Sequence, residues 1–168
     1  MIFVTKVVIT AAGKGTRLLP FTKEMPKEMM PIFSRLGKKQ VVLPLLQYVY
    51  EQLYSMNFRD YCFVVGREKR TIEDHFTPHE SYLRELSGEY KKTINGFYQK
   101  LDKSHLVWIN QNKPLGFGDA VKRAEKYVGK EDFIVHAGDV TILSKGMHPI
   151  LSCLLYTSDA ADEGLGVD

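Results

Sequence analysis

From residue 6 to residue 140, short apolar runs alternate with amphipathic stretches. "KVVIT" (6–10) is β-branched and closes on small residues, the pattern of a buried strand. Residues 42–53 put Val42, Leu45, Leu46, Val49 and Leu53 on one helical face, with Pro44 in the first turn, where a missing N–H does no harm. "YCFVVG" (61–66) predicts a second buried strand closed by glycine, and residues 69–76 a short helix. Residues 79–103 are polar, with apolar side chains at Tyr82, Leu83, Leu86 and Tyr90, and predict a helical insertion. "HLVWIN" (105–110) is a third strand, with Trp108 and the other strand aromatics assigned to the core. Residues 118–128 form a helix with Asp119 near its positive end, and "DFIVHAGDV" (132–140) is a fourth strand.

Strands alternating with helices predict an α/β fold, a Rossmann-like three-layer sandwich with a mostly parallel central sheet and helices on both faces. Ligands of such sheets bind beyond the carboxyl ends of the strands. The informative positions are therefore 11–17, 66–69, 111–118 and 136–140.

The 168 residues fit one ordinary domain with a real core. Hydrophobic residues at 44% and charged residues at 26% are normal for a soluble globular chain. No apolar run is long enough to span a bilayer, and no signal-peptide pattern opens the chain, so the expectation is a cytoplasmic protein with no membrane partner. Cys62 and Cys153 have no metal or redox spacing. The five histidines form no metal constellation, and Pro78 separates His75 from His79. His136, at a strand end, has more of a structural than a ligand-binding reading.

The net charge of +3 is uneven. Residues 154–168 hold four acids and no base; the rest carries 23 basic against 16 acidic residues, and the stretch from Lys14 to Lys39 holds much of that excess. A local basic field suits a phosphorylated small molecule, whereas a nucleic-acid groove calls for a longer basic stripe.

The loop Ala12-Gly13-Lys14-Gly15-Thr16-Arg17 follows the first strand. Its glycines admit φ > 0 and let backbone N–H groups close on an anion. Leu18 stands where a dinucleotide fingerprint needs its third glycine, and no P-loop motif is present. Two glycines alone leave a phosphate cradle and a plain tight turn equally open. Lys27, held between Pro26 and Glu28, then adds a second cation to Arg17 near the same strand end.

With "AAGKGTRLLPFTKEMPKEMMPI" (11–32), "IEDHF" (72–76), "QNKPLGFGDAV" (111–121) and "GDV" (138–140) in order, the chain resembles the sugar-1-phosphate nucleotidyltransferases, most closely the prokaryotic-type UTP–glucose-1-phosphate uridylyltransferases. The resemblance implies that Ala12, Gly13, Gly15, Thr16 and Arg17 hold the nucleoside triphosphate, with Arg17 on the departing pyrophosphate. It implies that Lys27 contacts the phosphates at the reacting centre, that Glu28 belongs to the nucleotide site, that Gln111 and Gly116 read the pyrimidine, and that Asp139 binds Mg²⁺. UTP and glucose 1-phosphate are the implied substrates, and a homo-oligomer the implied state of the full-length protein. These roles suit the reaction. Attack of a sugar phosphate on the α-phosphorus joins two anions, so cations must offset the repulsion. Without the resemblance, Asp139 also reads as a turn cap and Gln111 as an ordinary loop glutamine.

Thymidylyl or adenylyl transfer to glucose 1-phosphate is the alternative within this class, and a non-catalytic nucleotide-sugar-binding regulatory domain the alternative outside it. A nicotinamide-dependent oxidoreductase is disfavoured by Leu18 and by the basic "VVGREKR". The family's sugar-binding residues and second metal aspartate have no counterpart here. The expectation is thus a C-terminally truncated domain: residues 1–152 form its nucleotide-binding part, with weak or no turnover, and residues 153–168 form a non-native or disordered tail of the kind left by adapter read-through.

Overall fold

The computed structural model describes residues 6–36 and 39–141. Its elements, in chain order, are β1 (Lys6–Ala11), β2 (Pro31–Leu36), β3 (Lys39–Pro44), α1 (Leu45–Ser55), β4 (Asp60–Gly66), α2 (Arg70–His75), α3 (Glu80–Glu85), α4 (Gly88–Asp102), β5 (His105–Gln111), α5 (Phe117–Arg123), α6 (Glu125–Val128) and β6 (Phe133–Ala137). Residues 153–168 lie outside the described part, as does Cys153. No helix among the described residues is long and apolar enough to cross a membrane.

Four strands form one parallel sheet in the order β5-β4-β1-β6. Alternate residues of the central strands feed two cores. Val7, Ile9 and Ala11 face Leu46, Val49 and Tyr50 of α1, Ile72 of α2, Phe76 just after it and Phe97 of α4. Val8, Cys62 and Val64 face Ala120 of α5, Val128 of α6 and Ala124 at the break between them. This period-2 burial on both faces produces the predicted three layers. Each fully buried Val, Leu or Ile contributes about 1.5–3 kcal/mol of transfer free energy. Trp108 stacks on Phe63 at a centroid distance of 4.6 Å and seals the β5 side of the first core.

Three local readings change. The helix expected from residue 42 begins at Leu45. Residues 39–44 are instead a strand, antiparallel to β2, and Val42 is 58% exposed. Pro44, with φ −58° and ψ 140°, caps α1 from outside rather than sitting in its first turn. The helix expected over 118–128 divides at Ala124, and the last strand ends at Ala137, leaving Gly138 and Asp139 in a turn. The insertion at 79–103 is helical as expected, in two pieces.

The sheet order positions the site. From β1 the chain winds through β4 to β5, and then β6 returns to the other flank of β1. The direction reverses between β1 and β6, and a crevice opens there beyond the strand ends.

Candidate active site

The loop after β1 folds on itself. Gly15 has φ 67° and ψ 20°, the left-handed region that favours glycine. Its carbonyl accepts from Leu18 N at 2.9 Å and from Thr22 Oγ1 at 2.7 Å. These bonds curl residues 15–22 into a basic rim. Ala12 is buried at the base of the loop, while Gly13, Thr16 and Arg17 are exposed, the last two on the one-turn helix Thr16–Leu18. Arg17 stands outside the residues that line the cavities below.

A second short turn, Lys27–Met29, carries Lys27 across the crevice. Its Nζ lies 2.6 Å from Asp139 Oδ2 and directly over Gly13, where an added Cβ would meet Nζ at 3.5 Å. Asp139 is held from the other side by the Gly138 N–H, which donates to Thr10 O at 2.9 Å, and by the turn bond from Val140 N to Ala137 O. Thus β1, the Lys27 turn and the end of β6 meet at one point.

Glu28, the next residue, turns inward and is fully buried. Its Oε2 accepts from Lys69 Nζ at 3.0 Å, and its Oε1 has no partner. Burial pushes its carboxyl above the ordinary 4.5, against the pull of Lys69. Lys69 sits just beyond β4; in sequence the position after that strand is the only pointer to it.

Gln111 ends β5 and is buried. Its Nε2 donates to Asp119 Oδ2 at 2.7 Å and to Gly116 O at 3.2 Å. Arg123 Nε donates to the same Oδ2 at 2.9 Å. The bond from Gln111, and after it that from Arg123, holds the Asp119 carboxyl below its ordinary 3.8. Asp119 was legible in sequence only as a helix-end acid, and its grip on Gln111 was not.

These parts enclose a cavity of about 430 Å³, lined by Thr10, Gly13, Lys27, Gln111, Gly116 and Asp139, with Ala12 and Glu28 in its walls. A second cavity of about 560 Å³ shares Ala12, Gly13, Lys14, Gln111 and Pro114 with it. Lys23, Arg67 and Lys69 line that second cavity, together with Glu24 and Glu68. The two form a trough along the glycine loop with a net basic lining, suited to an extended anion. Of the ten residues singled out from sequence, seven line the first cavity and Thr16 lines the second, while Gly15 and Arg17 line neither.

No cluster of three or more His, Cys, Asp or Glu capable of holding a metal occurs among the described residues. A lone carboxylate beside a phosphate site nevertheless fits Mg²⁺, a hard cation that keeps several waters and takes its remaining ligands from phosphate oxygens. Asp139 is that carboxylate. His136 is buried, and its Nδ1 donates to Ala137 O at 2.8 Å; burial lowers its pKa from 6.5, so it is held neutral as a structural group.

A nucleotidyl transferase family model matches residues 6–153. The UTP–glucose-1-phosphate uridylyltransferase YngB of Bacillus subtilis (strain 168) is 39% identical over 143 residues, 84% of this chain and 46% of that protein. A solved apo UDP-glucose pyrophosphorylase superposes with a TM-score of 0.77 at 27% identity, over 94% of this chain and 56% of its own. A UTP-bound enzyme of the same kind from Acinetobacter baumannii superposes at 0.68 and 29% identity, over 84% of this chain and 48% of its own. The chain spans about half the length of the curated relatives it matches.

Proposed function

This chain belongs to the nucleotidyl transferase family, and on that premise we propose that it supplies the nucleotide-binding half of a UTP–glucose-1-phosphate uridylyltransferase. The reaction is in-line displacement. A phosphate oxygen of glucose 1-phosphate forms a bond to the α-phosphorus of UTP, the bond from that phosphorus to the bridging oxygen breaks, and pyrophosphate leaves with the electron pair.

The observation that carries this reading is the Lys27–Asp139 pair, 2.6 Å apart across the crevice and over Gly13. It sets a cation and an oxygen ligand side by side where an α-phosphate entering along the glycine loop would lie. Lys27 offsets charge at the reacting phosphorus, and Arg17, on the exposed rim, follows the departing pyrophosphate. Asp139 would hold Mg²⁺, which when bound neutralises phosphate charge. Gln111 and Gly116 take the base at the far end of the cavity. Positioning and charge account for the catalysis, and no protein nucleophile is required.

Titration of the chain with UTP in the presence of Mg²⁺ tests the reading. Saturable binding is expected, weakened in Lys27→Ala and Asp139→Asn. In a pyrophosphate-release assay of the full-length protein with glucose 1-phosphate, UTP is expected to outperform dTTP and ATP. Absence of saturable UTP binding, or a preference for ATP, overturns it.

A further inference from the structure

The cavity wall contains a device that sets what Gln111 can offer a ligand. A glutamine amide presents two N–H donors at one end and a carbonyl acceptor at the other. Both partners of Gln111 Nε2, Asp119 Oδ2 and Gly116 O, are pure acceptors, so this end of the amide is its NH₂ and both hydrogens are used. The opposite atom, Oε1, makes no hydrogen bond. Among the described residues, Glu28 Oε1 is the one fully buried side-chain oxygen without a partner. Gln111 Oε1 is not closed off in that way, and Gln111 lines both cavities.

We propose that Asp119 is a positioning and specificity-determining residue: it fixes Gln111 as a carbonyl acceptor toward the ligand, so that the site takes a base with an N–H on its pairing edge and rejects one without. Uracil carries such an N–H at N3. Cytosine has a bare acceptor there, which would face Oε1 with no proton between them. Arg123, bonded to the same Asp119 oxygen, holds the carboxylate in place, and the low carboxyl pKa of Asp119 keeps it an acceptor down to acid pH. Without Asp119 only the longer bond to Gly116 O, at 3.2 Å, holds the amide, which can then turn over and offer N–H to cytosine. The inference rests on the nucleotide-site reading above and deepens it.

Asp119 is partly exposed, and its replacement removes no core packing. The test compares UTP and CTP affinities of this chain by calorimetric titration with Mg²⁺, for wild type, Asp119→Ala and Asp119→Asn, with thermal unfolding as the check on folding. Wild type is expected to prefer UTP. Asp119→Ala is expected to lower the UTP:CTP preference at least about tenfold, chiefly through tighter CTP binding. Asp119→Asn, whose carbonyl still accepts from Gln111, is expected to hold most of it. An unchanged preference in Asp119→Ala, or equal loss of both nucleotides, overturns this inference alone. Wild type that binds neither nucleotide overturns the parent reading, a separable result.

Discussion

Lys69 Nζ lies 3.0 Å from Glu28 Oε2, with both side chains withdrawn from solvent. The pair ties the end of β4 to the turn that carries Lys27, and so couples two walls of the trough. A buried pair contributes little net stability, but removing one partner strands the other. Lys69→Met is expected to cost about 3–5 kcal/mol in urea unfolding, with much of the loss recovered in the Lys69→Met/Glu28→Leu double variant. The deficit should shrink on acidification, because protonation relieves the stranded carboxylate. A single variant within about 1 kcal/mol of wild type at neutral pH would show that the pair is not buried as described.

His75 gives the fold a pH dependence of definite sign. Its ring packs against Phe76 and Phe97, and its Nε2 lies 2.9 Å from Gln47 Oε1. Burial lowers its pKa from the ordinary 6.5. The unfolded chain therefore binds the proton more readily than the folded one. The stabilisation is full above pH 6.5 and is lost as pH falls below 6.5 toward the folded pKa. His136 shifts in the same direction; Glu28, with its raised pKa, acts oppositely at more acid pH. His75→Gln keeps a donor for Gln47 and removes the titration. Urea midpoints from pH 7.5 down to about 5 should fall less steeply in that variant than in wild type. Parallel curves would remove His75 as the cause.

The Lys27–Asp139 pair predicts competition. Lys27 already bonds Asp139 Oδ2, so a divalent cation on this carboxylate competes with the ammonium for its charge and for that oxygen. Lys27→Met should bind Mn²⁺, a probe for Mg²⁺, more tightly than wild type when no nucleotide is present. The same variant should bind UTP about 10–100-fold more weakly, the cost of one charge-assisted contact to phosphate. Adding EDTA to wild type should weaken UTP binding as well. Electron paramagnetic resonance of Mn²⁺ and nucleotide titration read the two arms. Equal Mn²⁺ affinity in both proteins contradicts the competition.

The parallel sheet, its two covered faces and the residues after each strand were legible because buried strands write themselves as β-branched runs. Strand ends then fix where chemistry belongs. The β2–β3 hairpin was not. Val42 and Leu43 sit next to a true helix, and a short apolar run fits either period. Only Phe33 and Val42 standing 76% and 58% exposed reveals that one hairpin face packs on nothing among the described residues. The polar pairs escaped for another reason. Glu28 and Lys69 are 41 residues apart, and their meeting depends on the order of strands, which no local pattern encodes. Gln111 and Asp119 are close in sequence, but their contact depends on the turn at Gly116, with φ 99°.

Gly138 supplies the most direct test of how Asp139, the proposed metal ligand, is held. A Cβ there would stand 3.2 Å from Thr10 O and 3.2 Å from Leu46 Cδ1, and 3.4 Å from Glu28 Cγ. Thr10 O belongs to the sheet backbone and cannot yield cheaply, while Leu46 is fully buried in the first core. In Gly138→Ala the turn must therefore lift away from β1, stretching the Gly138 N–H to Thr10 O bond of 2.9 Å and carrying Asp139 with it. Overpacking of this kind costs about 1–3 kcal/mol. The larger consequence is for the site, since a displacement of about 1 Å in a positioned group is enough to lower rates about a hundredfold. The expected result is a modest fall in unfolding free energy together with a disproportionate loss of Mg²⁺-dependent UTP binding. Amide exchange at Gly138 should rise in parallel. A variant that loses stability but binds UTP and Mg²⁺ as wild type does would show that the position of Asp139 is set elsewhere than by the close contact of this turn with β1.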